Sequence, residues 1–174
     1  DAAESAEATE ETVEKAETAT IEERYEKDGM MQSYLTGEWK DVNVVKRRPM
    51  AVMIGNNAGL LPQYGISQAS IIYEAPVEGR ITRLMAFFED YDDLERVGPV
   101  RSSRDYFVYE AMAYDAIYCN WGLAVPYVKD LFGSGRIDNV SQALTGQNNP
   151  SPEAFDRVNR PGYAKEYTAY MFID

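Results

Sequence analysis

The chain has 174 residues and a net charge of −12, and it contains no histidine and a single cysteine. The acidic balance argues against non-specific binding to nucleic acid or to an anionic membrane surface. The lack of histidine excludes histidine-based catalysis and histidine metal ligands within this chain. One cysteine, Cys119, excludes an intramolecular disulfide. We expect no bound metal and no cofactor.

The charge is concentrated at the beginning of the chain. Residues 1–27 hold ten acidic and three basic residues, with almost no large apolar side chains. Such a segment cannot bury enough surface to offset the entropy of ordering, so we predict a disordered acidic tether. A polar approach segment follows at residues 28–48, and we place the folded domain at residues 49–174.

Three apolar runs predict strands in the first half of this domain. Residues 50–54 are continuously apolar, which is typical of a strand buried on both faces. Residues 71–74 and 81–88 predict two more strands, and Pro76 should end the first of these. The short connection between them favours a hairpin.

Helix and strand signals alternate in the second half. We predict a helix beginning at Ser102 or Ser103, a strand over 116–121, a helix over 125–132 and a strand over 137–140. Alternating elements combined with a hairpin predict an α/β domain in which a mixed β-sheet packs with helices.

The most distinctive motif is the segment 98–104, which places two serines and two arginines at a predicted helix N-terminus. Free N–H groups and the positive end of the helix dipole collect at such a position. With a serine cap and with Arg101 and Arg104 converging, the N–H groups of Ser102 and Ser103 would form an anion-binding site. The alternative is a structural helix start whose arginines pair with Glu74, Glu78 or Glu95.

Two carboxylates stand four residues apart, Glu74 and Glu78. They could act as an acid/base pair or bind a hard cation. Because Glu74 ends an apolar run, we expect it to be partly buried and paired with Arg83, Arg101 or Arg104. The alternative is a purely structural network of salt bridges.

Two asparagines, Asn56 and Asn57, follow the first predicted strand. In open α/β sheets ligands gather beyond the carboxyl ends of strands, so these amides are candidate ligand contacts. The alternative is that asparagine serves a left-handed turn.

Taken together, these motifs resemble the YerB-like bacterial lipoproteins, the family of domain of unknown function 3048. The order and spacing of several motifs carry the resemblance: residues 49–57, 62–69, 72–74, 77–79, 81–83 and 98–104. The resemblance implies a Gram-positive protein anchored by an N-terminal lipid to the outer face of the membrane. It also implies a smaller C-terminal domain that this sequence lacks.

The chain departs from the family pattern at two positions where family members have a histidine. Residues 120–124 read Asn-Trp-Gly-Leu-Ala where family members tend to have His-Ala-Gly-Gly-Ser, and a later Lys-Ala-Pro-His-Asn segment has no counterpart near residues 160–167. A reaction that used those histidines would be lost here, while binding could remain.

We therefore expect an extracytoplasmic domain that binds an anionic group of an envelope component or of a protein partner. The candidate ligand-binding residues are Arg101, Ser102, Ser103, Arg104, Arg83, Glu74, Glu78, Asn56 and Asn57. Two alternatives stay open: an envelope hydrolase that uses Glu74 or Glu78 as a base, and a scaffold that recruits another protein.

Overall fold

The computed structural model describes residues 26–123, 128–142 and 151–173. Its strands are β1 (Met30–Gln32), β2 (Trp39–Asp41), β3 (Met50–Gly55), β4 (Ile71–Val77), β5 (Ile81–Phe88), β6 (Arg96–Val97), β7 (Ile117–Trp121), β8 (Asn139–Gln142), β9 (Phe155–Arg157) and β10 (Ala169–Phe172). Its α-helices are α1 (Val42–Lys46), α2 (Asp105–Ala113) and α3 (Lys129–Gly133). The predicted mixed α/β class is confirmed.

Two predictions fall largely outside these residues. The tail expected to be disordered, residues 1–27, is described only from residue 26 onward. The start of the helix predicted over 125–132 also lies outside the described residues. The remainder of that prediction corresponds to α3.

A five-stranded sheet forms the centre, in the order β4-β5-β3-β7-β8. Strand β5 pairs antiparallel with both β3 and β4, whereas β3 pairs parallel with β7 and β7 pairs parallel with β8. The predicted hairpin is therefore β4–β5. Strands β3, β4, β7 and β8 all run in one direction, so their carboxyl ends share one edge of the sheet.

Strand β3 lies between two hydrophobic cores, and every one of its residues is buried, as its continuous apolar run predicts. Val52 and Ile54 pack in the core that joins the sheet to β6, β9 and β10. Ala51 and Met53 pack in the other core, with α2. Burial of a large apolar side chain contributes about 1.5–3 kcal/mol, so this two-sided packing is the main support of the fold.

Strand β4 is longer than predicted. It continues through Pro76, which pairs with Thr82, to Val77. The expectation that Pro76 ends the strand was wrong because β4 is an edge strand of its sheet, where a missing N–H removes no ladder hydrogen bond. The hydroxyl of Tyr106 in α2 donates to the Pro76 carbonyl at 2.6 Å.

The segment 98–104 lies between the carboxyl ends of β3 and β7. Those two strands pair with each other only along their first halves. Further on, Arg101 bonds to both: its N–H donates to Met53 O at 2.9 Å, and its carbonyl accepts from Trp121 N–H at 3.1 Å. The segment thus behaves as a short extra strand inserted into the sheet.

This insertion explains why α2 begins later than predicted. The helix starts at Asp105 rather than at Ser102 or Ser103, because the preceding residues are held in extended hydrogen bonding. Its predicted apolar stripe is present, since Phe107, Val108 and Ala111 are buried.

Several short elements were missed. The polar approach segment contains β1, β2 and α1, with Met31 and Val45 buried. Strands β6, β9 and β10 form a separate three-stranded sheet, and β8 covers 139–142 instead of 137–140. Within the described residues, no helix is long and apolar enough to cross a membrane.

Candidate functional site

The site lies at the shared edge where β3, β4 and β7 end and β5 begins. Arg83 enters it from β5, opposite Gly55 on β3 and Ala75 on β4. Strand alternation places Arg83 on the same face as Met85 and Phe87, which is the face covered by α2. The guanidinium therefore lies near the beginning of α2.

Two guanidiniums meet on one serine hydroxyl. Arg83 Nη1 and Arg104 Nη1 each lie 3.2 Å from Ser102 Oγ as donors. Arg83 Nη1 also donates to the Ser102 carbonyl at 2.5 Å. Glu78 completes the group through Arg104, and we call Glu78, Arg83, Ser102 and Arg104 the Ser102 cluster.

A carboxylate neutralises the charge of Arg104, whereas the charge of Arg83 has no such partner among the described residues. Arg104 Nε lies 2.9 and 3.1 Å from the two Glu78 carboxylate oxygens, and its Nη2 also donates to Glu78 Oε2. In the described part of the chain, no carboxylate lies within 4.0 Å of Arg83. Arg83 is only 5% exposed. A buried cation without a carboxylate is rare because burial penalises unpaired charge.

The pKa values follow from this geometry. Hydrogen bonding to Arg104 holds the Glu78 pKa at about 2. Burial, followed by repulsion from Arg104 and Arg101, lowers the Arg83 pKa to about 10. Both groups are therefore charged near neutral pH. A carboxylate with a pKa of about 2 is a weak general base, so Glu78 is better suited to orienting Arg104 than to proton transfer.

The beginning of α2 is not capped by a side chain. Its N-cap residue is Arg104, and among the described residues no side chain caps the first turn. The expected cap by Ser102 or Ser103 was wrong. Ser103 is fully buried: its N–H donates to Gly122 O at 3.1 Å and its hydroxyl lies 2.8 Å from the Tyr118 hydroxyl. Ser103 therefore holds the segment 98–104 against the core through these two hydrogen bonds.

Arg101 is directed away from the Ser102 cluster. Its Nη1 donates to the Glu166 carbonyl at 2.8 Å, its Nη2 lies 3.4 Å from Glu166 Oε2, and its guanidinium lies 5.7 Å from the Tyr167 ring centre. Arg101 lines a cleft of about 190 Å³ together with Ser102, Trp121 and Arg157, so this cleft adjoins the Ser102 cluster. The expected convergence of Arg101 with Arg104 is replaced by convergence of Arg83 with Arg104.

Glu74 belongs to a third group. It is exposed, contrary to the expected partial burial, and its partners are not arginines. Asn56 Nδ2 donates to Glu74 Oε1 at 3.0 Å and to Thr82 Oγ1 at 2.8 Å, and Thr82 Oγ1 donates to Glu74 Oε1 at 2.5 Å. Glu74 is exposed because β4 is an edge strand.

Asn57 joins the neighbourhood of Arg101. Its Nδ2 donates to the Tyr167 hydroxyl at 2.7 Å. The sequence did not indicate Tyr167 and Glu166, because the segment 163–173 has aromatic residues without a regular period. Thr82 lies opposite Pro76 on the β4–β5 hairpin, two residues from Glu74, and Tyr118 lies within a buried strand, so both could have been found from the predicted strands.

The chain belongs to the family described as "Protein of unknown function (DUF3048) N-terminal domain", whose model matches residues 35–173. It is 41% identical over 111 residues to a Bacillus subtilis (strain 168) protein named "Putative lipoprotein YerB", covering 64% of this chain and 33% of that protein. The crystal structure of the Bacillus subtilis YerB protein matches with a TM-score of 0.67 and 34% identity, over 81% of this chain and 46% of that chain. The chain thus spans about a third of the curated relative.

Proposed function

We propose that this protein is a cell-envelope lipoprotein domain on the outer face of the membrane, and that it binds an anionic group of an envelope component or partner at the Ser102 cluster. The lipoprotein name of the relative supports the location. The acidic sequence at residues 1–27 supports a role for that segment as a spacer between a lipid anchor and the folded domain.

The observation that carries the binding proposal is the pair of guanidiniums on Ser102 Oγ. A neutral hydroxyl accepts from two cations, and one of them, Arg83, has no carboxylate within 4.0 Å among the described residues. An oxygen of a phosphate or carboxylate ligand would supply the missing negative charge. Charge-assisted hydrogen bonds of this kind are about twice as strong as neutral ones.

The beginning of α2 adds a second attraction. No side chain of the described residues caps its first turn, and the helix dipole favours negative charge there. In this proposal Arg83 and Arg104 hold the charge, Glu78 orients Arg104, and Ser102 lies between them. Arg101, Asn56 and Asn57 lie in the adjoining groups and would contact the rest of a larger ligand.

The test compares a double variant, Arg83→Gln with Arg104→Gln, with Arg136→Gln, which changes an exposed arginine outside the Ser102 cluster. Binding of inorganic phosphate and of purified anionic cell-wall polymer is measured by calorimetry, and folding by circular dichroism. We expect the double variant to bind about tenfold more weakly or worse, since each charge-assisted bond contributes about 1.5–3 kcal/mol. A folded double variant with wild-type affinity would refute the site.

A further inference from the structure

A second cavity lies between β6, β10 and two loops. Its volume is about 240 Å³, and it is lined by Pro62, Gln63, Tyr64, Arg96, Val158, Asn159, Arg160 and Tyr170. It shares no lining residue with the Ser102 cluster. We call it the Tyr170 cavity.

The walls of the Tyr170 cavity are held by backbone hydrogen bonds. Tyr64 and Gly98 exchange a pair of them, at 2.8 and 3.2 Å. Arg96 lies on β6 opposite Phe172 on β10. The cavity is thus built on paired strands, which hold side chains more rigidly than free loops do.

Arg96 presents a donor that has no acceptor. Its guanidinium lies 4.4 Å from the Tyr64 ring centre and 5.8 Å from that of Tyr170, so two rings fix its orientation. Its Nε is buried and has no hydrogen-bond partner within the described ranges. Glu95 Oε1 lies 3.9 Å from this Nε, which makes an ion pair but no hydrogen bond.

Arg160 adds a second positive charge to the same cavity. It donates to the carbonyls of Tyr167 at 2.9 Å and Pro62 at 3.2 Å. Its guanidinium lies 3.8 Å from the Tyr163 ring centre. No carboxylate from residues 26–123, 128–142 or 151–173 lies within 4.0 Å of it. Carbonyls satisfy its N–H groups without neutralising its charge.

The third donor is the Tyr170 hydroxyl. Tyr170 is only 4% exposed, and its hydroxyl forms no hydrogen bond to another residue that the structure describes. Burial raises the pKa of Tyr170, and the nearby guanidiniums of Arg160 and Arg96 oppose that rise. The Tyr170 cavity thus joins two guanidiniums and a neutral hydroxyl donor.

We propose that the Tyr170 cavity binds the oxyanion group, a carboxylate or a phosphate, of a small ligand. An arginine Nε–H acts with a neighbouring Nη–H as a fork that matches two oxygens of such a group. The Tyr170 hydroxyl donates to the same group, and Arg160 supplies the further positive charge. The half-exposed rings of Tyr64 and Tyr163 offer flat surfaces to the remainder of the ligand.

The experiment follows the Arg96 Nε–H signal by ¹H–¹⁵N NMR, and the signal is assigned by its loss in Arg96→Gln. Inorganic phosphate and glucuronate, a carboxylate-bearing sugar, are titrated separately into the wild-type chain. We expect a saturable shift with at least one of them, and the one that binds more tightly identifies the oxyanion. Arg160→Gln should weaken that binding about tenfold, whereas Arg136→Gln, a matched loss of charge at an exposed position, should not.

The proposal is independent of the Ser102 cluster, and one variant separates them. The double variant Arg83→Gln with Arg104→Gln should leave the Arg96 titration unchanged. Three results would overturn the proposal: no saturable shift with either anion, unchanged affinity in a folded Arg160→Gln variant, or loss of the Arg96 response in the double variant.

Discussion

The buried charge of Arg83 predicts that replacing this residue changes stability far less than a core substitution normally does. The Arg83 pKa falls from its usual value to about 10 on folding, mainly through burial. Each tenfold change in an ionisation equilibrium is worth about 1.4 kcal/mol, so holding Arg83 charged costs the folded protein about 3 kcal/mol. Because the folded pKa is lowered, this cost is present at every pH below about 10 and is relieved as the pH rises through it.

Replacing Arg83 by Met removes that cost and keeps most of the apolar stem. It also removes the hydrogen bond to the Ser102 carbonyl, which contributes about 1.5–3 kcal/mol as a bond to a charged group, whereas the Ser102 hydroxyl keeps its bond from Arg104. The two effects nearly cancel, so we expect Arg83→Met to change the free energy of unfolding by less than about 1 kcal/mol, in either direction. An ordinary large-to-small core substitution such as Leu84→Ala should cost about 2–5 kcal/mol.

The assay is urea unfolding at pH 7 of the wild type, Arg83→Met and Leu84→Ala, with and without inorganic phosphate. An anion that binds only the folded state stabilises it. Phosphate bound at the Ser102 cluster should therefore stabilise the wild type more than Arg83→Met. A loss of more than about 3 kcal/mol in Arg83→Met without phosphate would refute the reasoning, because Arg83 would then be a net stabilising residue.

Three further predictions concern the surroundings of the site. Glu78, whose pKa is lowered to about 2, should stabilise the fold fully above about pH 4.5, and acid unfolding should show this contribution falling between pH 4.5 and 2 in the wild type but not in Glu78→Gln. Ser103→Ala and Tyr118→Phe should each cost about 1–3 kcal/mol, and a double-mutant cycle in urea should show less than additive losses because the two hydroxyls bond to each other. Gly98→Ala would place a Cβ 2.8 Å from the Tyr170 ring, so calorimetry should show a loss of about 1–3 kcal/mol, and wild-type stability would contradict this close packing.

The parts of the fold that sequence could predict are those governed by local patterning. The apolar run of β3 and the apolar stripe of α2 are visible in the sequence whatever elements they pack against, so the hydrophobic pattern alone predicted both elements. The β4–β5 hairpin followed from its short connection. By contrast, β9 and β10 are three and four residues long and depend on pairing with each other and with β6. Such strands carry almost no local signal.

The sequence indicated most residues of the candidate site but not which of their side chains contact each other. The concentration of Arg101, Ser102, Ser103 and Arg104 in one segment is visible in the sequence. Which side chains meet depends on strand register, which placed Arg83 opposite Gly55 and brought it to Ser102. Arg101 was drawn away by Glu166, a residue 65 positions along the chain.

The insertion of segment 98–104 between β3 and β7 has a consequence for binding kinetics. Arg83 lies on β5, and the backbone on either side of Ser102 is hydrogen-bonded to β3 and to the end of β7 through Arg101 and Ser103. The main chain that would hold an anion is therefore ordered as soon as the domain folds. Binding of a ligand there requires no loop closure and costs little main-chain conformational entropy. Association should therefore proceed at a rate set by electrostatic encounter, with a single kinetic phase and a strong dependence on ionic strength.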